Sequence, residues 1–321
     1  MSRPPTEMLY DSRGTLAVSP ADGDGPGTLQ VRRIGLGENG AGRHIRRLSA
    51  FTVDVEDWYQ SCVDLDAPIT ERVVRNVDRI LHLLDAVGVK GTFFMQGRVA
   101  ETFPRMVEEL VTEGHEIQSH GYSHRALYSM TRSELRQELE YAKKSVEDAA
   151  GVRVTAFRAP DFSILSQNLW ALDVLAEAGF EVDSSLFPVR TSRYGIAGWE
   201  LGPHRLTLPS GAELLEVPVA VWEVARLRVP IGGGGYCRLL PRAVLERGLR
   251  GVRDSGRPAI LYFHPYEFNP RELDEYRSEV PLSRRWSQSL GRKASIERLT
   301  RLLKGFPFGR FDETLRAWGL Q

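Results

Sequence analysis

The chain has 321 residues, 42% hydrophobic and 26% charged, a composition typical of an ordinary soluble protein with enough apolar residues for a large core. Its 42 Lys and Arg residues balance 42 Asp and Glu residues, which argues against binding to nucleic acid or to a membrane surface through overall charge. Two cysteines, Cys62 and Cys237, are too few for a disulfide framework or a thiolate metal site, so any metal must be bound by His and carboxylate ligands.

The N-terminal region differs in composition from the rest of the chain. Residues 1–47 are rich in Gly, Pro, Ser and Asp, and apolar and polar residues alternate there only around Leu29, Val31 and Ile34. This composition predicts a flexible arm before a folded unit at 48–321. The arm lacks the basic and apolar regions of a signal peptide, and no apolar run is long enough to span a bilayer. We therefore expect a soluble, cytoplasmic protein without a membrane span.

From residue 48 onward, strand-like and helical patterns alternate. Short apolar runs predict strands from Leu48 to the first acidic cluster and at 91–95, 115–120, 152–157, 180–183, 213–217 and 259–264. Helical spacing predicts helices at 71–86, 99–113, 131–150, 167–178 and 241–253. Gly88 ends the first helix, and Thr131 and Glu134 form a capping box at the third. Seven strands, most of them separated by helices, indicate an α/β fold that is either a parallel β/α barrel or a doubly wound sheet.

Three carboxylates follow the first predicted strand within four residues: Asp54, Glu56 and Asp57. Clustered acids repel one another and lose hydration, so they persist most easily where a cation or a reaction requires them. In parallel α/β folds, the carboxyl ends of the strands are also where the functional groups gather. The alternative is a solvated acidic turn.

Two histidines, His120 and His124, follow the third predicted strand. One helical turn would bring two imidazoles four residues apart to one face, and such a pair suits Zn²⁺ with one carboxylate and a water. The same spacing also arises by chance in polar loops.

Arg158 and His264 leave two further predicted strands. The arginine would pair with an acid in the cleft and keep it ionised, although a purely structural ion pair is the commoner role of such a residue. The histidine is placed to act as a general acid, or is simply hydrogen-bonded within the packing.

Together these motifs carry a family resemblance. They stand in order as Thr52-Val-Asp54, Ser119-His120 with His124, Arg158 with Pro160, and Phe263-His264-Pro265. This series resembles the polysaccharide deacetylases of the NodB homology class, which are similar to carbohydrate esterase family 4. The glycine run at 232–235 and the segment after His264 resemble a subgroup found with exopolysaccharide loci. The resemblance implies a distorted parallel (β/α) barrel of about seven strands, with 48–321 as a catalytic domain including its C-terminal extension.

The resemblance also implies an activity. A metal-dependent hydrolase of this class removes acetyl groups from N-acetylated sugars of a polysaccharide or its precursor, with an acetylated glycan as its partner and a divalent metal, Zn²⁺, as its cofactor. The family motif has two adjacent aspartates, whereas here Val55 follows Asp54. By resemblance Asp54 is the base, and Glu56, which shares its face on a strand, is the third metal ligand beside the two histidines. Asp57 is the rival ligand.

Three further residues receive roles from the resemblance. Arg158 orients the base Asp54, and His264 protonates the departing amine. Asp183, at the end of its own predicted strand, is the acidic partner expected to raise the pKa of His264.

Two other functions remain open. Val55 stands where the family motif has its second aspartate, which is compatible with a carbohydrate-binding relative that keeps the fold but does not catalyse the reaction. An amidase acting on small non-peptide C–N bonds is the second alternative, although the retained pair His120 and His124 weighs against it.

Overall fold

The computed structural model describes residues 15–18, 29–34, 48–276 and 278–321. Its strands are β1 (Thr15–Val18), β2 (Leu29–Arg33), β3 (Ser49–Val55), β4 (Thr92–Met95), β5 (Glu116–Ser119), β6 (Ala156–Phe157), β7 (Val182–Asp183), β8 (His204–Thr207), β9 (Glu213–Glu216), β10 (Val221–Val224), β11 (Leu227–Pro230), β12 (Ile260–Phe263) and β13 (Phe308–Gly309). Its α-helices are α1 (Trp58–Cys62), α2 (Arg72–Val87), α3 (Gly97–Thr102), α4 (Pro104–Thr112), α5 (Arg132–Ala150), α6 (Ala171–Glu177), α7 (Gly234–Leu239), α8 (Arg242–Asp254), α9 (Leu282–Ser289), α10 (Arg292–Gly305) and α11 (Phe311–Ala317).

Seven parallel strands form the centre of the molecule. They lie in the order β9-β7-β6-β5-β4-β3-β12, with β13 pairing beside the start of β3. The segment after β9 reaches the far edge, where Ala220 N donates to Ile260 O at 2.9 Å, so the sheet curves back on itself. The predicted α/β fold with about seven parallel strands is confirmed.

Strand β3 lies at the middle of the core. All seven of its residues are buried, as expected for a parallel strand covered on both faces. Helix α2 packs its apolar stripe towards the core and ends at Gly88, which adopts a left-handed conformation (φ 66°). The capping box between Thr131 and Glu134 opens α5 as predicted. Within the described residues, no helix is both long and apolar enough to cross a membrane.

Two predicted elements are shorter in the structure. The helix predicted at 99–113 is divided into α3 and α4, because Pro104 begins a new helix after Phe103. The strand predicted at 152–157 is reduced to β6. The backbone N–H groups of Thr155 and Ala156 donate to the Gln118 side chain, at 3.0 and 2.7 Å, instead of joining a long ladder.

Part of the predicted flexible arm belongs to the sheet. Strand β2 pairs antiparallel with β8, which the sequence did not predict, and Leu29 and Val31 are buried. The interpretation of this part as loosely attached chain is therefore wrong, because its two apolar side chains reach the core. Most of the remaining arm lies outside the described residues.

Candidate active site

The predicted functional residues follow strands that are neighbours in the sheet. Strands β12, β3, β4, β5 and β6 are adjacent and parallel, so their carboxyl ends meet at one edge. His264 follows β12, Glu56 follows β3, His120 follows β5 and Arg158 follows β6. Parallel pairing thus brings together residues that are distant in sequence.

Glu56, His120 and His124 converge at this edge. One possible ligand atom from each lies within 4.8 Å of the others, and all three residues are buried. Glu56 Oε2 lies 3.7 Å from His120 Nε2 and in close contact with His124 Nε2. The other oxygen, Oε1, accepts a hydrogen bond from the Tyr266 hydroxyl at 3.1 Å. The tyrosine therefore fixes the carboxylate while Oε2 faces the imidazoles.

Glu56 and His124 each shift the pKa of the other towards the charged form. Burial acts to raise the pKa of Glu56, but the positive charge of His124 and hydrogen bonds from both histidines hold that pKa well below 4.5. Burial acts to lower the pKa of His124, but the charge of Glu56 raises it above 6.5. The carboxylate thus stays ionised in spite of its burial.

His120 is oriented for binding through one ring nitrogen. Its Nδ1 lies 2.9 Å from the carbonyl oxygen of Arg158, to which it donates. This hydrogen bond orients the ring so that its other nitrogen, Nε2, faces Glu56.

Asp54 is bound by Arg158. The guanidinium Nη1 donates to Asp54 Oδ1 and to Thr52 Oγ1, both at 2.7 Å, and Nη2 donates to Ser184 Oγ at 3.1 Å. The guanidinium also stacks on Phe94, 4.1 Å from the ring centroid. Arg158 and Asp54 are almost completely buried, so the geometry of this pair is fixed on several sides.

Asp57 has a different environment. Its Oδ1 accepts from the N–H groups of Tyr59 and Gln60 and caps α1, while Oδ2 accepts from the N–H and the hydroxyl of Thr70. Both oxygens are occupied, and Asp57 is absent from the Glu56 cluster. Strand β3 ends at Val55, so the alternation of side chains along a strand does not extend to Glu56 and Asp57. The two acids differ instead because Asp57 caps α1.

His264 lies at the open side of the cluster. Its Nε2 is 4.0 Å from Glu56 Oε1, and its side chain is 24% exposed. Its Nδ1 faces Glu267 Oε2 at 3.6 Å, and Glu267 also accepts from the His264 backbone N–H at 3.0 Å. Burial acts to lower the pKa of His264, but hydrogen bonding to Glu267 and the nearby carboxylates raise it to about 9.

Asp183 is not the partner of His264, and the prediction that paired them is wrong. Strand β7 runs beside β9, which places Asp183 against Glu216 in a buried pair of acids. Asp183 Oδ1 accepts from Ser185 Oγ at 2.5 Å. Burial raises the pKa of both acids, and for Glu216 the charge of Asp183 adds to the effect.

Sequence reasoning missed Glu267 and Tyr266. Both follow His264 within three residues, in a 3₁₀ turn at Pro265–Phe268 that directs them back to the strand end. The available signal was an acid three residues after His264, with a proline directly following the histidine.

Comparisons with known proteins agree with this fold. Residues 63–182 match the family model described as polysaccharide deacetylase, and residues 184–316 match a domain of unknown function, DUF3473. This part of the chain is thus similar to the polysaccharide deacetylase family. A peptidoglycan-N-acetylglucosamine deacetylase from Bacillus cereus is 35% identical over 96 residues, which are 30% of this chain and 35% of that protein. The match thus spans about a third of that relative's length.

Two solved structures share the fold. A Mycobacterium smegmatis protein assigned as a polysaccharide deacetylase has a TM-score of 0.55 at 23% identity, and the match covers 85% of this chain and 91% of that one. Puue allantoinase also has a TM-score of 0.55, at 17% identity, with 89% and 95% covered. At these identities the likeness shows the fold alone, and it does not choose between the two chemistries.

Proposed function

We propose that the protein is a metal-dependent hydrolase that removes acetyl groups from N-acetylated sugars of a polysaccharide or its precursor. The observation that carries the proposal is the convergence of Glu56, His120 and His124 at one strand edge. Beside them lie Asp54, which is paired with Arg158, and His264, whose pKa is raised to about 9. The match of residues 63–182 to the deacetylase family supports the same reaction.

The residues present fit a divalent metal. Two imidazoles and one carboxylate form a donor set typical of catalytic zinc, and His120 has the outer hydrogen bond that orients such a ligand. Glu56 Oε2 is buried and faces the Nε2 atoms of both histidines, so the three atoms converge as the ligands of one cation would. When bound, the ion would supply a Lewis acid that acidifies a water molecule and polarises the acetyl carbonyl.

Asp54 serves as the general base. Arg158 occupies Oδ1, so the second carboxylate oxygen takes the proton of the attacking water as the new C–O bond forms. Because the guanidinium is itself held by Thr52, Ser184 and Phe94, the base is oriented without depending on substrate.

His264 serves as the general acid. An amine anion is too poor a leaving group, so the C–N bond breaks only as the nitrogen receives a proton. With a pKa of about 9, His264 is protonated near neutral pH and donates that proton. The products are acetate and the free amino sugar.

Acetate release from N-acetylglucosamine oligomers, measured with added Zn²⁺ and after treatment with a chelator, tests the proposal. We expect release that depends on the metal and is lost in His120→Ala. A protein that binds the oligomers with no turnover would instead be a carbohydrate-binding relative. Turnover of small amides such as allantoin, without acetylated sugars, would favour the amidase alternative.

The finer assignments rest on the sequence motifs. We propose zinc as the metal, and a substrate associated with exopolysaccharide assembly, because the glycine run at 232–235 and the segment after His264 resemble that subgroup. Metal replacement with Co²⁺ or Mn²⁺ and assays on purified polymers of known acetylation test these two points separately.

A further inference from the structure

Each of the two matched regions contains part of the candidate site, while Asp54 and Glu56 precede both regions. His120, His124 and Arg158 lie in the deacetylase region, whereas His264 and Glu267 lie in the region of unknown function at 184–316. We infer that Glu267 is the residue that positions His264 for proton donation, and that Gly234 leaves the space that the Glu267 carboxylate occupies. This inference rests on the proposed function, because it concerns the acid of that same reaction.

The Glu267 carboxylate is held by contacts on both of its sides. Glu267 is buried, and its Oε2 faces His264 Nδ1 at 3.6 Å and accepts the His264 backbone N–H at 3.0 Å. Its Oε1 lies 3.4 Å from Arg238 Nε. Arg238 is held in turn by Nη1, which donates to the carbonyl oxygens of Gln288 and Leu290 at 2.8 and 3.1 Å. The carboxylate is therefore fixed between one backbone donor, one arginine and the imidazole.

This arrangement selects the nitrogen that delivers the proton. An acid facing Nδ1 keeps that nitrogen protonated, so Nε2 is the atom that gains and loses the catalytic proton. His264 Nε2 is also the ring nitrogen that lies 4.0 Å from Glu56 Oε1, on the side of the proposed metal ligands. Glu267 itself touches no metal-ligand residue, which is why we describe it as a positioning residue.

Most glycines of the run at 232–235 lie too close to neighbouring groups for a side chain to fit. Helix α7 begins at Gly234, and a methyl group there would overlap the Glu267 carboxylate. At Gly233 a methyl group would meet the Tyr262 hydroxyl at 2.7 Å, and at Gly232 it would meet the backbone of Ala220 and Ile260 at 2.8 Å. At Gly235, by contrast, the nearest atom is the end of the Arg238 side chain at 3.9 Å. Three of the four glycines thus permit close packing beside β12, and Gly234 faces Glu267 directly.

Two pairs of matched variants test the inference. Glu267→Gln removes the charge beside His264, and Glu272→Gln is its control, since Glu272 is a buried acid that binds Asn76 and Asn269 instead. Gly234→Ala displaces the Glu267 carboxylate, whereas Gly235→Ala adds the same methyl group at an ordinary van der Waals distance, 3.9 Å from Arg238 Nη2.

Turnover of two substrates with different leaving groups distinguishes a loss of His264 positioning from general damage to the fold. An N-acetylglucosamine oligomer needs a proton on its amine, whereas 4-nitrophenyl acetate releases a phenolate that needs none. We expect Glu267→Gln and Gly234→Ala to lower kcat for the oligomer by about 10- to 100-fold and to leave the aryl ester within about threefold. Both controls should leave both substrates unchanged. Equal losses on the two substrates, or an unchanged oligomer rate in Glu267→Gln, would overturn the inference.

A spectroscopic measurement decides the same point without turnover. In ¹⁵N-labelled protein treated with a chelator, the His264 Nδ1–H proton should give a protected, downfield resonance that disappears in Glu267→Gln and in Gly234→Ala but persists in Gly235→Ala. If the native protein releases acetate from no substrate, the proposed function fails while this resonance still tests the contact. A resonance unaltered by Glu267→Gln would refute the positioning role even in an active enzyme.

Discussion

Arg158 donates to Asp54 at 2.7 Å with both side chains almost completely buried, so the pair joins the end of β6 to the end of β3. A buried charge pair of this kind is costly to break, because the remaining partner is left desolvated. The pair therefore orients Asp54 and also links two strands of the sheet.

The base can be tested by Asp54→Asn. Asparagine keeps an oxygen for Arg158 but takes no proton at neutral pH, so we expect kcat for acetate release to fall by about 10²- to 10⁴-fold. Zinc content, measured by mass spectrometry of the purified protein, should not change, because Asp54 lies outside the Glu56 cluster. A variant that retains normal kcat would remove Asp54 from the mechanism.

The two rival acids are distinguished by Glu56→Gln and Asp57→Asn. We expect Glu56→Gln to weaken zinc binding by more than the roughly 10- to 100-fold typical of losing an outer hydrogen-bond partner. Asp57→Asn should bind zinc normally but lose about 2 kcal/mol of unfolding free energy, since its Oδ2 accepts two hydrogen bonds from Thr70. Calorimetric titration with Zn²⁺ and urea denaturation check the two effects. The reverse pattern would assign the ligand to Asp57.

Asp183→Asn tests the corrected assignment. Because Asp183 lies against Glu216, away from His264, we expect the ratio of oligomer to aryl-ester turnover to stay as in the native protein. Burial raises the pKa of both acids, so relieving their repulsion should leave stability at pH 7 equal or slightly higher. A selective loss of oligomer turnover would restore Asp183 as a partner of the acid.

His204 makes stability depend on pH. Its Nδ1 donates to the Gly202 carbonyl at 2.8 Å and its Nε2 accepts from Trp199 Nε1 at 3.1 Å, so only the neutral ring satisfies both bonds. Burial lowers the pKa of His204 from 6.5 to about 4. A pKa lowered by folding gives stability that is complete above pH 6.5 and is lost as pH falls towards 4.

This loss amounts to about 2 kcal/mol at pH 5. Urea denaturation of chelated protein at pH 7 and pH 5 measures it, with His204→Asn as the reference. The variant should be less stable at pH 7 and should lack this part of the pH dependence. Parallel pH profiles for the two proteins would contradict the assignment.

The sequence was sufficient for much of the fold because its strongest signals are local. Gly88 and the Thr131–Glu134 capping box mark helix ends through backbone chemistry that needs no tertiary contact. The placement of His120 and Arg158 beside β3 followed from a general property of parallel sheets, which collects strand ends at one edge.

The partners of individual side chains were less predictable. Asp183 was paired with the wrong residue because strand order decides which neighbour a strand-end acid meets, and β9 rather than β12 lies beside β7. Strand β2 was missed because its two buried residues are too few to outweigh the Gly- and Pro-rich composition around them. Both errors concern contacts between segments that are far apart in the chain.

The pairing of β3 has a consequence for the order of folding. Beyond β4, its partners are β12, about 200 residues later, and β13, whose Phe308 pairs with Ser49; Trp318 also donates to the Leu48 carbonyl at 2.8 Å. The strand that carries the base is therefore enclosed only after nearly all of the chain has been synthesised. Until then its apolar residues need protection from aggregation, and a protein released early by the ribosome would have an incomplete catalytic centre.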